Sequence, residues 1–241
     1  MLLQVPASGP TVLMSIPRDS YVSIPGRNKN KINAAFSYGG AKLLAQTVEE
    51  NTKIHVDDYV EIGFGGFATM VDAVDGVQIC PKRNMDDPKA GIDLKKGCQP
   101  ADGRTALGYA RARYSDPRGD LGRVERQREV LAAIVGKASS PGTLANPFKT
   151  FPLAGAGGDS LQVDDGMSRY GLARFLLGMK STGSGKGVSL TVPVSGTGSR
   201  PGAGSVVLWD DAKAETVFAA LRKGDTTAVK AVADQQKAAL K

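Results

Sequence analysis

Asp58-Tyr59-Val60-Glu61-Ile62, then Gly66-Phe67-Ala68-Thr69-Met70-Val71-Asp72-Ala73-Val74, then Gly76 and Val77-Gln78-Ile79-Cys80 together decide the fold class. The first run is a short strand. In the second, Phe67, Met70, Val71 and Val74 recur at helical spacing, and Gly76 ends the helix. The third is again a strand. A strand, helix, strand succession argues a parallel or mixed sheet with covering helices. Upstream, residues 2–5 and 11–16 pair across Pro6-Ala7-Ser8-Gly9-Pro10 as a β-hairpin, and residues 40–50 form an amphipathic helix. Downstream, Asp102 caps a helix over residues 103–110, the chain extends over 111–114, and a helix with Val124, Leu131, Ile134 and Val135 on one stripe spans 121–137. A helix over 167–179, strands at 188–192 and 206–209 and a helix over 215–221 follow. The prediction is an α/β chain: one domain over residues 1–222 with a central mixed β-sheet covered by helices, then a polar tail over 223–241.

The chain has 241 residues, 41% of them apolar and 23% charged, enough to bury a sizeable core. Its net charge of +7 favours anionic partners without choosing among them. The distribution is more telling. Arg104, Arg111, Arg113, Arg118, Arg123, Arg126 and Arg128 crowd one segment, and guanidinium forks suit bidentate phosphate recognition better than lysines do. No apolar run approaches the roughly 20 residues of a membrane span, and no signal peptide opens the chain. The chain begins directly on a strand, so the natural N-terminus is expected to lie further upstream and to carry any membrane anchor. Cys80 and Cys98, the two cysteines, bracket a turn-rich stretch between apolar runs. They read as a disulfide closing a hairpin in an oxidising compartment, or as two unrelated free thiols. With a single histidine, His55, and no CxxC spacing, a zinc site has no ligand set.

The segment Tyr109-Ala110-Arg111-Ala112-Arg113-Tyr114-Ser115-Asp116-Pro117-Arg118-Gly119-Asp120-Leu121-Gly122-Arg123-Val124-Glu125-Arg126-Gln127 carries the most chemistry. In an extended segment Arg111 and Arg113 share a face. The turn at 117–119 brings the next helix's N-terminus back towards them, offering free N–H groups to a phosphate. Arg123 in the first turn extends the positive surface, and Gln127 lies one turn on. The plain alternative is a solvated basic surface tied to Glu125 and Glu129. Gly63-Phe64-Gly65-Gly66-Phe67-Ala68 also fits a dinucleotide fingerprint, with Asp86 or Asp87 about 20 residues on. That acid falls in a polar loop beyond the following strand, where the fold would need it at the strand's tip.

In order, Ser15-Ile16-Pro17-Arg18-Asp19-Ser20, Lys31-Ile32-Asn33-Ala34-Ala35-Phe36, the Tyr59–Val77 strand–helix–strand, Tyr109-Ala110-Arg111-Ala112-Arg113 and Asp120-Leu121-Gly122-Arg123-Val124-Glu125-Arg126-Gln127 resemble the LytR–CpsA–Psr family of bacterial cell-wall glycopolymer transferases. The likeness covers residues 2–136, with a less certain part over 140–222, and displaces the dinucleotide reading. It implies an α/β domain holding a polyprenyl chain, with Arg18, Lys31, Arg111, Arg113, Arg123 and Gln127 around the pyrophosphate. Arg18 and Arg111 would act in catalysis, while Asp19 or Asp120 serves as base or as orienter of an arginine. It further implies a transferase moving a polyprenyl-pyrophosphate-linked glycan to peptidoglycan, with pyrophosphatase activity on the side. The enzyme would sit in the cell membrane by a single N-terminal span absent from this chain, with its catalytic part on the extracytoplasmic side. The family's metal-holding aspartates lie upstream of Met1, so Mg2+ is expected for the full-length protein and no metal ligand is assigned in this chain. The paired cysteines and Gly/Ala- and Arg-rich composition resemble actinobacterial members, which implies arabinogalactan, with teichoic acid or capsule transfer as the open alternatives. The rival class is a non-catalytic module gripping anionic lipid or nucleic acid; the scarcity of aromatics beside the arginines argues against nucleic acid.

Overall fold

The computed structural model describes residues 1–113, 115–116, 119–140, 161–164 and 166–239, with the backbone alone for Asp120, Leu121 and Ala239. Its first half runs β1 (Leu2–Gln4), β2 (Val12–Ser15), β3 (Tyr21–Val22), β4 (Asn30–Lys31), α1 (Ile32–Thr52), β5 (Val60–Ile62), α2 (Phe64–Ala73) and β6 (Val77–Ile79). Then come β7 (Met85–Asp87), β8 (Ile92–Leu94), β9 (Gln99–Ala101), α3 (Gly103–Arg111) and α4 (Asp120–Ala138). The last part holds β10 (Leu161–Val163), α5 (Arg169–Gly183), β11 (Val188–Thr191), β12 (Val194–Arg200), β13 (Gly204–Trp209), α6 (Asp211–Lys223) and α7 (Thr226–Ala239). The mixed α/β architecture expected from the sequence is present. No helix among the described residues is long and apolar enough to cross a membrane.

The chain divides into two compact units, residues 1–59 with 186–241, and residues 60–185. In the first, β1 and β2 form the predicted antiparallel hairpin, and β11 joins β2 in parallel. Val12, Met14, Leu190 and Val192 from this sheet meet Val217 and Leu221 of α6 and Val229 of α7, all buried. Residues 223–241, read as a polar tail, are therefore largely helix α7, whose Val229 and Ala233, one turn apart, enter the core. The helix predicted over 40–50 is the second half of α1. Gly40 adopts φ +62°, and with Gly39 it breaks the helical path between the two halves.

In the second unit α2, α3 and α4 enclose a core of Val71, Ile79, Ala106, Tyr109 and Val130. The strands flanking α2 do not pair with each other as a parallel unit would require. β5 pairs antiparallel with β10, and β6 antiparallel with β9. The return from β6 to β9 is closed by the Cys80–Cys98 disulfide, which spans the β7–β8 hairpin. The disulfide reading thus holds. Asp102 caps α3 as predicted, its carboxylate accepting from the Thr105 N–H at 2.8 Å. Burial on α4 differs from the predicted stripe, for Val124, Val130 and Ile134 are buried whereas Leu131 and Val135 are only partly so.

Candidate functional site

In the first unit, Ser15-Ile16-Pro17-Arg18-Asp19-Ser20 leaves β2 in a turn closed by the Ser20 N–H donating to the Pro17 carbonyl (3.0 Å). The Arg18 and Ser20 carbonyls accept from the Asn33 and Ile32 N–H groups at 3.2 and 2.8 Å, tying the turn to the start of α1. Ser20 is further held by Trp209, whose indole N–H donates to its hydroxyl at 2.9 Å. These bonds bring Lys31 to the turn. Asp19 is buried, and its carboxylate lies 3.3 Å from Lys31 Nζ and 3.6 Å from Arg18 Nε. Three of the predicted residues are therefore one cluster: a buried carboxylate orienting two cations, one of them well exposed.

In the second unit, Arg111 ends α3 rather than opening an extended run, because the α3 hydrogen bonding persists to the Ala112 N–H, which donates to Gly108 at 2.9 Å. The expected alternation survives this change. Arg111 and Arg113 are exposed and Ala112 between them is fully buried. Arg111 lies over the Phe64 ring, its guanidinium carbon 4.8 Å from the centroid. The Arg113 N–H donates to Asp87 Oδ2 at 3.0 Å, and Asp87 Oδ1 accepts from the Ala90 N–H at 3.1 Å. Asp87, weighed as a ribose ligand, is instead a buried anchor for the backbone that presents Arg113.

The residue that organises this edge is Arg126, which the sequence reading counted among the arginines without assigning it a role. It is buried. Its Nε donates to the Tyr109 carbonyl at 3.0 Å, its Nη2 to the Ala112 carbonyl, and its Nη1 pairs with Asp116. One guanidinium thus fixes the end of α3, the Arg111–Arg113 link and Asp116 to α4. Gly122 leaves room for this, since a Cβ there would overlap the Asp116 carboxylate. Glu129 adds a second tie, accepting from the Tyr109 hydroxyl at 2.9 Å and from the Cys80 N–H at 2.8 Å. Burial, with the Glu129 charge and hydrogen bond behind it, pushes the Tyr109 hydroxyl far above its usual range, so it stays a neutral donor.

α4 begins at Asp120 after Gly119, with no side-chain cap. Arg123, read as extending an exposed positive surface, is buried, and Gln127 one turn on is partly buried. Arg128, counted in the sequence among the arginines crowding this segment, is partly buried. Its Nη1 has no hydrogen-bond partner among the described residues, and burial lowers its pKa. The Asp120 side chain, Tyr114, Pro117 and Arg118 lie outside the described residues. His55 is exposed and paired with Glu49 at 2.6 Å. Among the described residues no group of three or more His, Cys, Asp or Glu side chains could hold a metal ion.

The second unit is thus an α/β unit that presents two exposed arginines from a clamped helix end. The chain is a member of the LytR_cpsA_psr family, whose model matches residues 1–223. It is 48% identical over 222 residues to the probable cell wall biosynthesis protein LcpB of Corynebacterium glutamicum, covering 92% of this chain and 52% of that protein. It is 42% identical over 142 residues to the polyisoprenyl-teichoic acid–peptidoglycan teichoic acid transferase TagU of Enterococcus faecalis, covering 58% of this chain and 46% of that one. The chain therefore spans about half the length of these relatives. Among solved structures, TagT bound to LIIa-WTA superposes with a TM-score of 0.67 at 29% identity, covering 88% of this chain and 78% of that chain.

Proposed function

We propose that this chain carries the catalytic part of a transferase that moves a cell-wall glycan from a polyprenyl-pyrophosphate carrier to a peptidoglycan hydroxyl. The observation that carries this reading is the Arg111–Arg113 edge. Two exposed guanidiniums flank a buried alanine, and the buried Arg126 holds their backbone in place. Cations fixed before the reaction stabilise charge on a leaving phosphate without reorganising during it.

The acceptor hydroxyl oxygen attacks the glycan-side phosphorus. The P–O bond of the anhydride breaks, its electron pair leaves with the polyprenyl phosphate, and the hydroxyl proton passes to a carboxylate. Arg111, Arg113, Arg123 and Gln127 grip the pyrophosphate in this reading, while Arg18 and Lys31 form a second anion-binding group. Asp19, already shared between two cations, orients them, and Asp120 is our candidate for the base. Water in place of the acceptor would make pyrophosphate hydrolysis the side reaction. Arabinogalactan is the polymer we propose, with teichoic acid or capsule as the other candidates for the same transfer. The disulfide fits an oxidising, extracytoplasmic location. Tyr109 is buried and has no face free to stack on a base.

The test is transfer of a labelled polyprenyl-pyrophosphate glycan to peptidoglycan, with donor binding measured by calorimetry. Arg111→Ala should weaken donor binding roughly tenfold or more, the loss of a charge-assisted phosphate contact. Arg111→Lys should recover little of it, since an ammonium lacks the fork. Arg104→Ala, exposed on the same helix, is the control. Equal losses for Arg104→Ala and Arg111→Ala would mean a diffuse basic surface and overturn the proposal.

A further inference from the structure

α5 has a composition and exposure pattern that the proposed transfer chemistry does not use. Its sequence, RYGLARFLLGMKSTG, holds three cations and no acid. The inner side is ordinary: Met179 and Gly178 are buried, Leu172 and Phe175 partly so, and the helix packs against α4. The outer side is not. Tyr170 is 72% exposed, Leu177 65% and Leu176 46%. Tyr170 and Leu177 are seven residues apart, so they stand on one stripe two turns apart, with the exposed Ala173 between them. Arg174 borders that stripe on one side, its guanidinium 5.8 Å from the Tyr170 ring centroid. Arg169, Leu176 and Lys180 share the stripe on the other side.

Large apolar side chains seldom stay in water along a whole helix face without a partner. A protein partner would ordinarily meet such a face with a mixture of charges, and a second copy of α5 would bring three more cations against three. An anionic lipid surface satisfies both features together. The apolar stripe enters the boundary between headgroups and acyl chains, the cations meet lipid phosphates, and the tyrosine sits at the interface. We propose that α5 is an interfacial helix that seats the second unit on an anionic membrane. Its role would be to hold the arginine edge at the depth where a lipid-linked pyrophosphate is found, and in that sense it extends the function proposed above.

The test is co-sedimentation of the full chain with vesicles of phosphatidylcholine alone or mixed with phosphatidylglycerol, neither containing polyprenyl lipid or glycan. Binding should be confined to the anionic vesicles and should fall steeply with added salt. Leu177→Ser should lower it about tenfold. Arg174→Ala should lower it about fivefold, and Arg104→Ala, the same charge change elsewhere on the second unit, much less. Unchanged melting temperatures would tie these losses to the surface. Equal binding to both vesicle types overturns the proposal, as does anionic binding that Leu177→Ser leaves intact. A concentration-dependent dimer abolished by Leu177→Ser without vesicle binding would do the same, assigning the face to a second copy. Because no donor is present, a negative result here leaves the transferase reading standing. Loss of transfer with vesicle binding intact would count against that reading alone.

Discussion

The Arg126 guanidinium spends its hydrogen bonds on the polypeptide itself, reaching two backbone carbonyls and the buried Asp116. It works by position, and exchange for another cation is not conservative. An ammonium on a flexible stem cannot span the Tyr109 carbonyl, the Ala112 carbonyl and the carboxylate together. Arg126→Lys should cost about 2 kcal/mol through unsatisfied buried acceptors. Arg126→Met should cost about 3–5 kcal/mol, because it strands the Asp116 charge in the interior. Urea denaturation of the two variants checks the order. A midpoint for Arg126→Met equal to that of the unmodified chain would show that Asp116 is relieved by other means.

Helix ends decide much of the local geometry at the element scale. α3 starts at Asp102, whose carboxylate accepts from Thr105 and stands below its usual pKa, chiefly through the Thr105 side-chain bond and then its backbone N–H. A carboxyl whose folded pKa is depressed adds stability above its unfolded pKa and loses it as pH falls through the folded value. Asp102→Ala should therefore cost about 1 kcal/mol at neutral pH, the usual size for a lost cap. The gap between the two proteins should close below roughly pH 4, where the unfolded carboxyl begins to protonate. Melting curves from pH 7 down to 3 test this, and a gap that stays constant would mean that the carboxylate charge contributes nothing. The other end of α3 carries Arg111, so fraying at Asp102 also loosens the element that presents the cation.

Across the whole molecule, the disulfide lies entirely within residues 60–185, bridging positions 18 apart in the chain. Closing a loop of that length stabilises by about 3 kcal/mol in the chain-entropy model. Reduction should act locally first. Hydrogen exchange followed by mass spectrometry should show faster exchange over β6 and β9, which flank the bridge, while β2 and β11 of the other unit change much less. Equal acceleration in both units would mean that they unfold as one.

The sequence by itself determined the α/β class, the hairpin of β1 and β2, the capped start of α3 and the alternation that exposes Arg111 and Arg113. All of these rest on short-range rules of side-chain period, cap chemistry and turn residues, which act within a few positions. Only the tertiary structure decided what Arg126 does. Its partners lie 10, 14 and 17 residues away, and two of them are carbonyls that every residue possesses. The same limit hid α7, where a stripe as narrow as Val229 and Ala233 becomes a helix face only because α6 and β11 are there to bury it. It also hid the partners of β5 and β6, because strands of three residues carry too little pattern to choose a neighbour and take whichever strand the surrounding packing delivers.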